Sequence, residues 1–199
     1  MRSLASIPRG YLVIGAIVLV VIVGAWWVWA NFIETYHLAK VDDALYRDGF
    51  RTFREFQTAI GKSGVKQVIC LLDDKELAKE PFNQEEEYCR RAHVQYTRVG
   101  IKLGGWPTSN DVKKFITATT TKNPKYTPSI VHCAQGVRRT GMMVAAYQMS
   151  VLGWDKEKTK QAMLTFGHSQ RTVGDVMRFI DGYDPVSKTV PEGLPVGQE

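Results

Sequence analysis

Residues 132–141 read His-Cys-Ala-Gln-Gly-Val-Arg-Arg-Thr-Gly, a run with the makings of an anion pocket built around a thiol. Cys133 stands six positions before Arg139, directly after Ser129-Ile130-Val131 and directly before a segment rich in Met, Ala and Val. A strand that ends at a cysteine and leads into a helix near Arg139 or Thr140 brings the sulfur to the unpaired N–H groups of the helix start. Gly136 allows the backbone a conformation that other residues resist, so the loop from Ala134 to Arg138 can turn its N–H groups inward. Arg139 adds a planar fork matched to two phosphate oxygens, a geometry that Lys does not reproduce. A free thiol ionises near pH 8.5, and such surroundings lower that value to about 3.5–7.5. The chemistry on offer is attack of a thiolate on phosphorus. Cys133 is the candidate nucleophile, and Ala134, Gln135, Gly136, Val137, Arg138 and Arg139 are the candidate phosphate cradle. Thr140 can donate its hydroxyl to the sulfur when sulfur must leave, and His132 can orient the loop.

In residue type and order the run resembles the HC(x5)R(S/T) signature of cysteine-dependent protein tyrosine phosphatases. Its Arg-Thr-Gly ending resembles the dual-specificity branch, and the likeness extends over residues 40–182. Leu45-Tyr46-Arg47-Asp48-Gly49 is similar to the LYRSGQ segment of bacterial and plant members, which places Arg47 near the pocket. The resemblance implies hydrolysis of a phosphomonoester through a phosphocysteine intermediate, with no metal or organic cofactor. The expected activity is that of a tyrosine or dual-specificity protein phosphatase. A phosphoinositide or inositol phosphate phosphatase is one alternative, and a catalytically weak pseudophosphatase that binds phosphoproteins is another. Rhodanese-like sulfurtransferases typically lack the Arg-Thr-Gly ending, and low-molecular-weight phosphatases carry their signature near the N-terminus.

Members of this family protonate the leaving oxygen with an Asp on a loop that precedes the signature. Here that loop reads Leu103-Gly104-Gly105-Trp106-Pro107-Thr108, with Trp106 where many bacterial members carry Asp. Asp111 is the candidate general acid, although a first-turn Asp also suits a helix dipole. Asp73 and Asp74, after the apolar run Val65–Leu72, are further candidates. A pocket without a strong donor would favour good leaving groups. Ser169-Gln170-Arg171 resembles the segment that brings a water-positioning Gln in some members, so Gln170 is a supporting candidate.

Around these residues the pattern alternates strands and helices. Short strands are expected within 41–48, a helix over Thr52–Ile60 from apolar residues at Phe53, Phe56 and Ile60, and a buried strand over Val65–Leu72. A polar helix over Asn83–Ala92, a strand over Val94–Val99 and a helix capped by Thr108 or Ser109 follow. Ser129–Cys133 is the strand feeding the loop, Thr140–Leu152 the helix behind it, and Lys156–Phe166 and Val173–Tyr183 two closing helices. Such alternation implies an α/β fold with a central, largely parallel sheet of about four or five strands flanked by helices. The resemblance implies the same protein tyrosine phosphatase-like fold. Ligands then bind beyond the carboxyl ends of the strands, where Cys133 falls.

The domain organisation expected is a short N-terminus at 1–10, an apolar segment at 11–30, a linker at 31–40, a phosphatase domain at 41–183 and a loose tail at 184–199. Tyr11–Ala30 is twenty residues without a charge, the length that spans a bilayer, with Trp26, Trp27 and Trp29 at its far end. Arg2 and Arg9 precede it, and Lys40 is the only Lys or Arg in the fifteen residues that follow. That asymmetry puts the N-terminus in the cytoplasm and the domain outside it, on the periplasmic side if bacterial. Val28-Trp29-Ala30 also has the small-residue spacing of a signal-peptidase site, which would release a cleaved form; the length of the apolar run favours a retained anchor. The net charge is +6, and a mildly basic surface suits an anionic substrate or membrane. No basic run points to nucleic acid. The expected partners are a phosphorylated protein or other phosphomonoester and, through the apolar segment, a membrane. Three cysteines make no disulfide framework; a Cys70–Cys89 bond is open in an oxidising compartment.

Overall fold

A computed structural model describes residues 9–28, 37–121 and 127–190 of the chain. Residues up to Thr35 form one unit and residues from Tyr36 a second. The first unit contains helix α1, Arg9–Val28. Tyr11, Ile14, Leu19, Ile22, Trp26 and Trp27 are all exposed along it. It is long and apolar enough to cross a membrane by length and composition. The helix starts and ends two residues before the expected span; Trp29 and Ala30 lie outside the described residues, as do Arg2 and most of the linker.

The second unit is an α/β domain. Strands β1 (Ala39–Lys40), β2 (Leu45–Gly49), β3 (Gln67–Cys70), β4 (Gln95–Arg98) and β5 (Ser129–Cys133) make one sheet in the order β1-β2-β5-β3-β4. The pairs β2–β5, β5–β3 and β3–β4 are parallel, and only the short edge strand β1 runs antiparallel. Every residue of β3 and β5 is buried, as parallel strands covered on both faces require. Helices α2 (Phe53–Ser63), α3 (Asp74–Leu77), α4 (Glu85–Arg91), α5 (Ser109–Thr120), α6 (Arg138–Ser150), α7 (Lys156–Met163) and α8 (Gln170–Gly182) complete the domain.

Two apolar clusters flank the sheet. On one side Phe50, Phe56, Ile60 and Cys89 pack with Val68 and Ile130. On the other, α6 lies in the larger cluster with Val112 and Phe115 of α5 and Val176 and Phe179 of α8. Every residue of α6 from Arg139 to Met149 is buried, so the helix behind the candidate loop is the centre of the domain rather than an amphipathic surface helix.

Two expectations are revised. The polar helix expected from Asn83 is a 3₁₀ turn, Phe82–Gln84, running into α4. The tail expected to be loose from Asp184 is folded at its start: Asp184 and Thr189 bridge each other, and Val190 N–H donates to Ser109 Oγ at 2.9 Å. The residues from 191 onward lie outside the described residues.

Candidate active site

Cys133 is the last residue of β5, level with Gly49 at the end of β2. Burial works against its thiolate. The Arg139 charge, the Thr140 hydroxyl and the N–H groups of Thr140 and Gly136 more than offset that, so the thiol ionises below its ordinary value. Gly136 takes the left-handed backbone at φ 68° that the loop demands. The end of β2 and the loop are in backbone contact. A Cβ on Gly136 would lie 2.4 Å from the Asp48 carbonyl oxygen, and one on Gly49 would lie 2.2 Å from Gln135 C and Gly136 N.

Helix α6 begins at Arg138 with no side chain capping it, which leaves its first N–H groups free for an anion. Arg139 is held from the side away from the sulfur. Its Nη1 and Nη2 donate to the two Glu76 carboxylate oxygens at 2.6 Å each, and Nη1 donates to the Ile101 carbonyl at 3.0 Å. A guanidinium has five N–H donors, so the adjacent Nε–H and second Nη2–H remain as a parallel fork for two phosphate oxygens. Burial disfavours the Arg139 charge, but Glu76 and Cys133 outweigh that and raise its pKa.

Arg47 is fully buried behind the loop. Its Nη2 donates to the Gly136 carbonyl at 2.7 Å, and its guanidinium lies 3.8 Å from the centre of the Phe166 ring. Among the described residues no carboxylate pairs with it. Burial pulls its pKa down to about 10, with Cys133 as the negative group in reach. His37 ties a second loop carbonyl, donating from Nδ1 to Gln135 O at 2.7 Å.

Other candidates are placed differently. The Arg138 side chain does not face the loop freely: Nε donates to Asp175 at 2.6 Å and Nη1 to the Gly105 carbonyl at 3.1 Å. It thereby latches the Gly104–Trp106 loop to α8. The Arg138 and Arg178 guanidinium groups, both bound to Asp175, each lie 5.8 Å from the centre of the Trp106 ring, which packs on Phe179. Asp111 closes the N-terminus of α5: one of its oxygens accepts from Thr108 N at 2.8 Å and from Thr108 Oγ1 at 2.7 Å. The cap therefore engages a single Asp111 oxygen. Asp73 caps α3 and accepts from Leu103 N at 3.0 Å. That backbone bond, with those from Glu76 and Lys75, holds its pKa below the usual carboxylate range despite burial. Asp74 pairs with Arg98. The Gln170 side chain lies outside the described residues.

On the opposite side of the nucleophile a polar cluster is sealed in the core. Register sets Asp48 of β2, His132 of β5 and Cys70 of β3 side by side, with Phe50 and Phe56 against the His132 ring. Glu85 of α4 reaches within 3.3 Å of His132 Nε2 and accepts a 2.7 Å bond from the Tyr96 hydroxyl. Ligand atoms of Cys70, Glu85 and His132 all lie within 4.8 Å of one another, so this is the group among the described residues that could hold a metal. Burial opposes a charged His132, yet Glu85 and Cys70 raise its pKa well above the ordinary value. Cys70, Cys89 and Cys133 are all free thiols.

A family model described as DSP-PTPase phosphatase fused to NAD+ kinase matches residues 34–178. The chain belongs to this family. It is a phosphatase of the cysteine-based, dual-specificity-like superfamily, and the matched span covers the sheet, the loop and both Arg47 and Arg139. No curated protein gives a significant match. Among solved structures, P. aeruginosa TpbA is similar at a TM-score of 0.61 and 20% identity, over 77% of this chain and 88% of that one. The core catalytic domain of the PP-IP phosphatase SIW14 from S. cerevisiae gives 0.62 and 18%, over 75% and 87%. PTPMT1 in complex with PI(5)P gives 0.56 and 18%, over 73% and 95%. At these identities the likeness establishes the fold.

Three residues of the phosphatase site were not visible in the sequence reading. Glu76 carried a signal, since Asp73 and Glu76 have capping-box spacing, but nothing local says that the same carboxylate grips Arg139. His37 acts across a long sequence separation and has no local signature, and nothing in the 45–49 segment says that Gly49 meets the loop.

Proposed function

We propose that this phosphatase hydrolyses phosphate monoesters of proteins, phosphotyrosine foremost, with Cys133 as nucleophile. The observation that carries this reading is the depressed Cys133 thiol facing a guanidinium fork that Glu76 has already oriented. The Cys133 thiolate attacks phosphorus, a sulfur–phosphorus bond forms and the bond to the leaving oxygen breaks. Water then attacks the phosphocysteine, inorganic phosphate departs and sulfur leaves as thiolate, with the Thr140 hydroxyl stabilising it. Arg139 and the N–H groups of the loop hold the three equatorial oxygens throughout.

The acidic groups beside the pocket bear on the substrate. Asp73, Asp111 and Asp175 are each committed to caps or ion pairs, and the 103–108 loop carries no acid. With no acid on that loop to assist departure, a phenol with a pKa near 10 is a better leaving group than an alkyl alcohol. That favours phosphotyrosine over phosphoserine or phosphothreonine. TpbA has also been crystallised with pTyr.

The deciding experiment assays the full chain, with Cys133→Ser as the blank, on phosphotyrosine and phosphoserine peptides, inositol phosphates and phosphoinositide vesicles. Preference for the phosphotyrosine peptide is expected. Preference for an inositol-based substrate would replace the protein-phosphatase reading, and binding without phosphate release would leave a phosphoprotein trap. Asp111→Ala should slow poor aryl leaving groups more than good ones if Asp111 donates a proton, and both equally if it only caps α5. We further infer that α1 is a retained anchor with the domain outside the cytoplasm, since Arg2 and Arg9 flank its start. A membrane-pelleted full-length chain sensitive to external protease would agree, and a shortened soluble chain would identify a cleaved signal peptide.

A further inference from the structure

Two successive carbonyls of the phosphate loop are pulled away from the pocket by cationic side chains or by N–H donors that lie outside the signature: Gln135 O by His37 Nδ1 and Gly136 O by Arg47 Nη2, each at 2.7 Å. In a trans peptide the C=O and the following N–H point in opposite directions. Fixing Gln135 O outward therefore fixes Gly136 N–H inward, and Gly136 N–H is one of the groups that stabilise the Cys133 thiolate. Arg47 does the same for the next peptide, aiming Val137 N–H.

We propose that His37 is a positioning residue for the reaction: by anchoring the Gln135–Gly136 peptide it aims a backbone donor at the sulfur and so helps to set the ionisation of Cys133. The inference rests on Cys133 being the nucleophile and extends the site to a residue 96 positions before it. The surroundings of His37 are built for such a contact. Its backbone is left-handed at φ 60°, uncommon for a residue with a side chain. Gly167 covers its ring so closely that a Cβ there would lie 2.8 Å from His37 Nε2. The next residue, His168, packs on Gly141 of α6, which brings the segment before α8 to the base of the loop. Among the described residues His168 is the titratable group that faces His37, and Arg47 of β2 faces His168 in turn. The charged and titratable groups that face Cys133 are Arg139 of α6 and Arg47 and Asp48 of β2. Burial, Arg47 and His37 together hold His168 neutral, with a pKa pulled down to about 4.

The test measures the pH dependence of Cys133 alkylation by iodoacetamide in the full chain, in a Cys70→Ala, Cys89→Ala background so that one thiol reports. Alongside it runs kcat/KM for an aryl phosphate. His37→Phe keeps a ring and removes the donor; it should raise the apparent thiol pKa by about 0.5–1 unit, as loss of one hydrogen bond to an anion does. The same change should lower kcat/KM below that pKa by about three- to tenfold. His37→Asn places an amide N–H near the Nδ1 position and should restore both within about twofold. Gly167→Ala, which displaces the ring, should mimic His37→Phe, and the double variant should be no worse than either single one. An unchanged alkylation profile in His37→Phe overturns the proposal, whatever happens to melting temperature. So does equal loss in the Phe and Asn variants. Because alkylation is read without turnover, failure here is distinguishable from failure of the phosphatase reading, which Cys133→Ser reports.

Discussion

Glu76 grips Arg139 end-on, one carboxylate oxygen to each terminal nitrogen at 2.6 Å, with the guanidinium buried and the carboxylate partly so. The pair joins α3, at the end of β3, to the start of α6. It turns a flexible cation into a fixed half of the pocket. Glu76→Gln loses one of the two charge-assisted bonds and leaves a buried guanidinium without its counter-ion. Its kcat/KM on aryl phosphates should fall by about 10- to 100-fold, the scale on which lost orientation is felt. Arg139→Lys, which cannot present a fork, should fall further. Steady-state kinetics beside melting temperatures would separate misorientation from unfolding.

The second prediction concerns pH. A depressed Cys133 pKa extends the thiolate to lower pH than an ordinary thiol allows, and kcat/KM should drop as pH falls through that lowered pKa. Thr140→Val keeps the volume and removes the hydroxyl that helps to hold the pKa down. Its acid limb should move to higher pH by about half a unit to one unit. Sulfur is then also a poorer leaving group, so phosphocysteine should accumulate, visible as a larger burst of the first product in rapid mixing.

Asp48 supplies a test on stability. Burial drives its carboxyl up to about 8, with His132 only partly offsetting it. The folded domain keeps a proton that the unfolded chain releases near pH 4. The resulting stabilisation is complete below about pH 4 and is lost as pH rises, until it is gone above about pH 8. Asp48→Asn cannot titrate. Measured in a Cys133→Ser background, the drop in melting temperature between pH 5 and pH 8 should be smaller in Asp48→Asn by about 4 °C or more. Equal drops would place the carboxyl's titration below that window.

The contact between Gly49 and the Gln135–Gly136 peptide leaves no room for a methyl group. Gly49→Ala should reduce kcat/KM by about 100-fold or more, because even a 1 Å displacement of the loop is costly. Gly61→Ala is the control. It lies in α2 with open space at the Cβ position, and alanine there should be neutral or stabilising by up to about 1 kcal/mol.

Much of this architecture can be read from residue order, for a physical reason. Strand β5 and helix α6 are both apolar runs joined by a loop with one glycine, so strand, turn and helix follow from short-range pattern, and the expected β5 matches the observed Ser129–Cys133. The cap at Thr108 is likewise local and legible. What was hidden is tertiary. That Arg138 would be spent on Asp175 and Gly105, and Arg139 on Glu76, depends on which helices meet the end of α6, and two adjacent arginines look alike in a string of letters. Cys89 and Glu85, on a helix whose sequence is mostly polar, turn inward toward His132 because α4 covers that face of the sheet.

Arg47 carries one last consequence. Its charge lies in the core with aromatic, sulfur and carbonyl neighbours, and among the described residues no carboxylate pairs with it, so Cys133 is the negative group that it faces beneath the catalytic loop. An oxyanion that settles in the loop gives that buried cation a further negative neighbour and, through linkage, should raise resistance to heating in proportion to the logarithm of its concentration. Phosphate, the reaction's own product, would then act as both a competitive brake and a stabiliser of the enzyme that releases it.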